Sequence, residues 1–193
     1  MKKLPLIILF FLFVTRAFGQ EKLVKDLDFD KVMDTVFMDA NSSEIICRLS
    51  SAGFKKISSN TLETAGDTYQ IKSTKNGFEY QCNWMRAGFA AQFRYDKILK
   101  KIQLIGMSRY EFGNASNDGS GESSINLLTN NYIGNWNYFD ENKRKLVKMP
   151  PIKAKMPIKV STLENFSEGI YTQYSDRCAE LYNSEKKKLL SRK

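Results

Sequence analysis

Apolar and polar residues alternate most clearly in the middle of the chain, on either side of a short turn. Residues 68–73 alternate in this way, and residues 78–84 do so again. Between them, Asn76 and Gly77 are residue types that accept the positive φ of a tight hairpin turn. The pattern predicts an antiparallel hairpin whose second strand is apolar on one face and polar on the other: Phe78, Tyr80, Cys82 and Trp84 against Glu79, Gln81 and Asn83.

Further strands are predicted on the same grounds. Residues 90–95 and 101–107 form a second predicted pair, joined by a turn at Asp96. A short strand is expected at 54–58, and residues 135–148 are expected to contain another hairpin. Residues 113–124 carry no apolar side chain larger than alanine, so they are predicted to be a loop. The sequence therefore predicts an antiparallel meander of four or more strands.

Apolar residues spaced by three and four predict helices elsewhere. This spacing occurs over residues 26–40, over 43–52 before Gly53, and more briefly over 125–133. Near the C-terminus, Ser161 and Glu164 have the spacing of a capping box, and apolar residues continue at helical intervals to Tyr182. We expect a long C-terminal helix that frays in the lysine run 186–188. The predicted fold class is α+β, an antiparallel sheet packed by helices.

The first residues form a separate, strongly apolar pattern. Lys2 and Lys3 precede an apolar run over residues 4–14, and Ala17 and Gly19 follow at the positions a signal peptidase reads. The run is too short to span a bilayer, which takes roughly 20 residues. We therefore expect a signal peptide at 1–19, cleaved near Gly19-Gln20, and a single globular domain at 20–193. The expected product is secreted or periplasmic and has no membrane span.

Net charge limits the expected partners. Without Lys2, Lys3 and Arg16, 27 basic residues face 21 acidic ones, and the formal charge falls from +9 to +6. A modestly basic exported protein meets polyanions at the cell surface, and export disfavours nucleic acid as a partner. The expected partners are cell-surface polysaccharide, anionic lipid or another envelope protein.

The chain contains no histidine, which removes whole classes of chemistry. Histidine is the usual general base near neutral pH and the commonest metal ligand, so Ser-His-Asp and Cys-His catalysis are excluded. The three cysteines, at positions 47, 82 and 178, lack the spacing of a zinc site. We assign no catalytic residue, no metal ligand and no cofactor. Carboxylate, lysine or tyrosine chemistry stays open.

An exported protein can keep a disulfide, so the cysteines pose a second question. A bridge between Cys47 and Cys178 is the favoured expectation, because it would tie the two ends of the chain together. A Cys47–Cys82 bridge and three free thiols are the alternatives.

The segment 143–159 is basic and contains no acidic residue. The favoured interpretation is that its lysines protect an exposed edge strand from pairing. The alternative is that its residues bind an anionic ligand. The candidate residues are Lys143, Arg144, Lys145, Lys148, Lys153 and Lys155.

These observations favour one class of function and leave another open. The favoured one is an exported, non-enzymatic binding or accessory protein. The alternative is a polysaccharide hydrolase or lyase that uses carboxylates or a tyrosine, because those groups remain available without histidine.

Overall fold

The computed structural model describes residues 22–63, 68–159 and 161–191, which form twelve strands and one long α-helix. The α+β prediction is confirmed. The strands are β1 (Lys22–Lys25), β2 (Asp34–Asp39), β3 (Glu44–Arg48), β4 (Lys56–Ser58), β5 (Thr68–Thr74), β6 (Gly77–Asn83), β7 (Ala87–Asp96), β8 (Lys101–Glu111), β9 (Gly121–Asn126), β10 (Asn131–Asp140), β11 (Lys145–Lys148) and β12 (Ile152–Lys155), and the helix is α1 (Glu168–Ser191).

The strands form two antiparallel sheets. The smaller has the order β1-β2-β3-β4, and the larger is a meander from β5 to β10 with β11 and β12 added. Residues 137–140 of β10 pair with β11, whereas residues 131–134 pair with β12. Pro150 and Pro151 lie between these two strands, where the pairing register shifts by one residue. Proline donates no amide hydrogen, so this bulge suits the edge of the sheet.

Buried side chains from both sheets and the helix form one hydrophobic cluster. Val36 and Ile45 of the smaller sheet are fully buried, as are Phe78 and Phe93 of the larger one, whose rings stack at 5.0 Å. The expected division of β6 into an apolar and a polar face is confirmed. The apolar face of the larger sheet therefore points into the core.

Helix α1 packs on this same face through one side of its surface. Tyr171 stacks on Phe89 of β7 with ring centroids 4.2 Å apart, and Tyr174 is hydrogen-bonded to Ser123 of β9 at 2.8 Å. Further along, the Tyr182 ring meets Trp136 of β10 edge-on. These contacts leave the opposite face of the larger sheet outside the core.

The strands β5 to β8, β4 and the β10–β11 hairpin lie where the sequence predicts them, but three predicted helices are wrong. Residues 26–33 form a loop and 34–39 form β2; residues 44–48 form β3, followed by a single 3-10 turn. Residues 125–133 belong to β9, a turn and β10. In β2, apolar residues that recur at intervals compatible with a helix are also buried at alternate positions, whereas β3 has three successive buried residues, Ile45, Ile46 and Cys47. Pairing with neighbouring strands decides the outcome in both. Gly53 does end the 3-10 turn in the left-handed conformation, at φ 65°.

The C-terminal helix exists but begins later than predicted. The Ser161 carbonyl accepts a backbone hydrogen bond from Leu104, and Thr162 bridges to Gln103, so Ser161 extends along β8 and does not cap α1. Thr162 instead precedes a single 3-10 turn, Leu163–Asn165. The helix then persists to Ser191 without the expected fraying, because Lys186 and Lys188 are both held in ion pairs. The predicted loop 113–124 is shorter than expected, since β9 already begins at Gly121.

The predicted signal peptide, 1–19, lies outside the described residues. Within the ranges that are described, no helix has both the length and the apolar composition needed to cross a membrane.

Candidate functional site

The outer face of the larger sheet is polar and open. Apart from three small residues on its floor, every side chain in its centre is exposed or half-exposed. Three rows of cross-strand partners cross this face: Asn83, Gly88, Tyr110, Glu122 and Asn135; then Gln81, Ala90, Ser108, Ser124 and Ile133; then Glu79, Gln92, Gly106, Asn126 and Asn131. Neighbouring strands lie about 4.8 Å apart, so strands β6 to β10 span roughly 19 Å.

The three small residues Gly88, Ala90 and Gly106 form a floor along β7 and β8. Tyr110 lies across this floor, with its hydroxyl donating to Oδ1 of Asn83 at 3.0 Å. A Cβ atom at Gly88 would come within 2.6 Å of the Tyr110 ring and 2.8 Å of Asn83 Oδ1. Glycine at position 88 is therefore what allows the tyrosine to lie over β7.

Longer side chains on either side of the floor enclose a groove of about 430 Å³. That volume lies within the range of small-molecule and saccharide-sized sites. Beside apolar residues such as Ala90 and Ile133, the lining carries amides, hydroxyls and a carboxylate: Gln81, Asn83, Ser108, Tyr110, Glu122 and Asn135. Such groups offer both donors and acceptors, which is what a ligand rich in hydroxyl groups requires.

One edge of the groove face carries basic residues. Lys153 pairs across the sheet with Ile133, and Lys155 pairs with Asn131, so both lysines extend rows of the groove face. Lys148 is placed on the same face by its pairing with Asn137. All three lysines are exposed. We call Lys148, Lys153 and Lys155 the lysine rim.

The remaining predicted anion-binding residues lie elsewhere. Lys145 pairs with Asp140 and belongs to the opposite face, while Lys143 and Arg144 are in the β10–β11 turn. The structure therefore separates the six predicted residues into the rim and a second group of three that is equally basic.

Two loops that follow β6 and β8 contact each other beyond the row of Asn83 and Tyr110. Arg86, in the β6–β7 turn, donates to the backbone carbonyl oxygens of Phe112, Gly113 and Asn114 at 3.2 Å. Phe112 is half exposed and packs against Tyr110, with ring centroids 5.6 Å apart. The Arg86 contacts thus fix the position of an aromatic pair beside the groove.

The expected Cys47–Cys178 disulfide is wrong: all three cysteines are free and buried. Cys47 lies in β3 of the smaller sheet, whereas Cys178 faces Ser123 of the larger sheet, with Sγ 3.5 Å from Oγ. Burial raises the pKa of the Cys47 thiol, with the carboxylates of Asp34 and Asp28 adding to the effect. This thiol therefore stays protonated and unreactive.

Three carboxylates form a cluster that could in principle hold a metal ion. One oxygen each from Asp26, Asp28 and Asp34 lies within 4.8 Å of the others. The oxygens are already occupied, however. Asp34 accepts backbone hydrogen bonds from Leu27 at 2.7 Å and Ser50 at 2.8 Å, and the two other aspartates accept bonds from the same loop. These contacts explain the cluster as a support for the loop 26–33.

Sequence reasoning found the polar side of β6 but missed Gly88, Ser108, Tyr110 and Asn135. Alternation along β8 could have placed Ser108 and Tyr110 on the same face, because they are two residues apart. The opposition of Gly88 and Tyr110 depends on strand register, which periodicity does not reveal.

No family model, curated protein or solved structure matches this chain.

Proposed function

We propose that this protein is an exported, non-enzymatic binding protein that holds an acidic polysaccharide on the outer face of its larger sheet. The observation that supports the proposal is the continuity of the groove with the lysine rim. Rows of amide and hydroxyl side chains end in Lys153 and Lys155 on the same face.

The two parts of the face suit the two parts of such a ligand. Amides such as Gln81, Asn83 and Asn135 can both donate to and accept from sugar hydroxyls, and the Glu122 carboxylate is a strong acceptor. Lysine ammonium groups attract carboxylate or sulfate groups as mobile point charges, without needing a fixed geometry. A repeating polymer could therefore place hydroxyls in the groove and acid groups on the rim.

The same features favour a polysaccharide over an anionic membrane. A membrane-binding surface combines basic residues with apolar side chains that enter the lipid. Here the rim adjoins Asn131 and the polar side chains of the groove, and the two rows that end in Lys153 and Lys155 contain only Ala90 and Ile133 as apolar side chains.

The decisive experiment compares two triple substitutions with the same change in charge. We expect K148Q/K153Q/K155Q to lower affinity for polygalacturonate or heparin at least about tenfold at low salt. The matched control K143Q/R144Q/K145Q lies in the turn and on the other face, and we expect it to stay within about twofold. Binding is measured by titration calorimetry, and circular dichroism checks folding. An equal loss of affinity in both variants would show that binding depends only on net charge and would contradict a site at the rim. No loss of affinity in either variant would reject the proposal.

Two further arms separate the alternatives. N83A/N135A should weaken polysaccharide binding while leaving adsorption to phosphatidylglycerol vesicles unchanged; the opposite result would favour a lipid surface. Incubation with polygalacturonate should release no reducing ends and no unsaturated product. If reducing ends or an unsaturated product are released, and E122Q or Y110F abolishes that release, the protein is a hydrolase or lyase and the proposed binding function is wrong.

A further inference from the structure

A buried arginine lies on the opposite face of β8 from the groove. The Arg109 side chain is only 9% exposed, and its guanidinium lies 5.5 Å from the centroid of the Trp136 ring. Its Nη2 donates to the Glu111 carboxylate, which is 40% exposed. Its Nε has no hydrogen-bond acceptor among the residues that the structure describes.

This arrangement leaves the Nε–H donor of Arg109 without an acceptor among the described residues. A guanidinium has five N–H donors, and burial without acceptors carries a substantial energetic penalty. The hydroxyl groups nearby supply no compensating charge: burial raises the pKa of Tyr132 to about 12 and also raises that of Tyr174. Asp118 is already bonded to Lys186 and Tyr182. Glu111 is therefore the carboxylate paired with Arg109.

A cavity of about 210 Å³ opens beside the arginine, between α1 and the sheet. Its lining includes Arg109, Glu111, Trp136, Cys178, Ala179 and Tyr182. At about 30 Å³ per water it has room for roughly seven water molecules, which is the size of a small aromatic acid. The walls combine the Arg109–Glu111 ion pair and the Asn183 amide with the aromatic surface of Trp136 and Tyr182 and the methyl group of Ala179.

We propose that this cavity is a second binding site, which takes a small organic carboxylate. The ligand's carboxylate would pair with the Arg109 guanidinium, and its apolar body would pack against Trp136 and Ala179. Charge-assisted hydrogen bonds to arginine are among the strongest polar contacts in proteins. The site faces α1, so it does not depend on the groove or on its proposed ligand.

The test uses benzoate as the probe and benzyl alcohol as its uncharged counterpart. The chain has two tryptophans, so the indole N–H signals in a ¹H–¹⁵N spectrum report on the site and on an internal control. We expect benzoate to shift the Trp136 signal and leave that of Trp84 in place, with W84F used for assignment. Benzyl alcohol should shift neither signal at the same concentration.

Two variants test the pairing with Arg109 independently. We expect R109Q to weaken benzoate binding by about ten- to a hundredfold, the range for losing a charged hydrogen-bond partner. The matched control R177Q removes a half-exposed arginine of α1 whose side chain pairs with Glu180, and should bind normally. If R109Q fails to fold, A179F gives the answer, because Ala179 is exposed at the cavity and a phenyl ring there fills it.

The outcomes are distinct. Loss of the Trp136 shift in R109Q and A179F, with normal binding in R177Q and in K148Q/K153Q/K155Q, supports the site. No benzoate-induced shift of Trp136, equal shifts from benzyl alcohol, or binding that persists in both variants would overturn it. Because the lysine-rim variant tests the groove separately, failure of one proposal leaves the other standing.

Discussion

Asp118 and Lys186 form an ion pair that fastens the end of α1 to the loop between β8 and β9. The Lys186 Nζ lies 2.8 Å from Oδ1 and 2.7 Å from Oδ2 of the carboxylate. The same carboxylate accepts hydrogen bonds from the Tyr182 hydroxyl at 3.1 Å and the Phe139 backbone N–H at 2.7 Å. One aspartate thus joins the loop, the helix and β10.

We predict that D118N lowers the free energy of unfolding by about 1–3 kcal/mol, because it weakens several charge-assisted hydrogen bonds at once. K186M should cost less, since Tyr182 and Phe139 still donate to Asp118. Urea denaturation of both single variants and of the double variant gives the coupling energy. The matched control K187M changes an exposed neighbouring lysine and should have no measurable effect. A coupling energy near zero would show that the pair contributes nothing.

The pKa of Asp118 predicts an acid dependence. Burial alone would raise this pKa, but the hydrogen bonds from Lys186, Phe139 and Tyr182 outweigh burial and lower it below its ordinary value of 3.8. A carboxyl whose pKa is lower in the folded state stabilises the fold above its unfolded pKa, and this stabilisation disappears as the pH falls through the folded pKa. Unfolding free energies measured between pH 6 and 2 should therefore fall less below about pH 4 in D118N than in the wild type. Parallel curves would contradict this.

Gly88→Ala should damage the groove selectively. The added methyl would lie 2.6 Å from the Tyr110 ring, so the ring must move and its bond to Asn83 must break. We expect a loss of about 1–3 kcal/mol in stability, typical of overpacking, and weaker polysaccharide binding. Adding Y110A should recover most of the stability but not the binding.

Gly169→Ala provides the matched control for that substitution. Its Cβ would meet a single atom within 4 Å, Ser167 Oγ at 3.6 Å, and alanine has the higher helix propensity. The thermal midpoint should stay level or rise slightly. If G88A also left the midpoint and binding unchanged, the close approach of Tyr110 to β7 would be disproved.

The free cysteines predict the behaviour of the purified protein toward thiol reagents. All three are buried, so 5,5′-dithiobis(2-nitrobenzoate) should react with none in the native state and with all three in 6 M guanidinium. Intact mass should be the same with and without reductant. A mass increase of about two hydrogens on reduction would show that the protein contains a disulfide.

Asp34 should be the most sensitive of the clustered aspartates. It is fully buried and accepts backbone hydrogen bonds from Leu27, Asp28 and Ser50. We expect D34A to cost at least about 3 kcal/mol, because it leaves these donors unpaired. The exposed control D176A should have little effect. Calcium or a chelator should leave the thermal midpoint of the wild type unchanged, and a rise with calcium would reveal a metal site.

The parts of the fold that were predictable are those where local and long-range preferences agree. The β5–β6 hairpin combines alternation with a two-residue turn at Lys75-Asn76, and both signals depend on neighbours in sequence. The positive φ predicted for Asn76 and Gly77 is wrong, because neither residue adopts it and Gly77 already belongs to β6. For residues 34–39 the local pattern fits two structures. Val36 and Met38 alternate with less buried residues as in a strand, but Val36 and Phe37 also have helical spacing to earlier apolar residues. Tertiary pairing with β1 and β3 decides between the two.

The candidate site was less predictable than the fold. The polar face of β6 follows from alternation, and the basic segment is visible in the composition. That the polar face and the basic segment meet depends on the Pro150–Pro151 bulge and on the pairing of β12 with β10. These two features set the face of the sheet on which Lys153 and Lys155 lie. The environment of Arg109 depends on the path of α1 over the sheet, more than fifty residues later in the chain.

Strand β8 gives the two proposed sites a common backbone. Ser108 and Tyr110 face the groove, while Arg109 and Glu111 face α1. A displacement of this strand by one residue would exchange the two sets, placing a cation among the amides and a tyrosine under the helix. Insertions or deletions within residues 106–111 should therefore abolish both binding activities together, whereas point substitutions separate them.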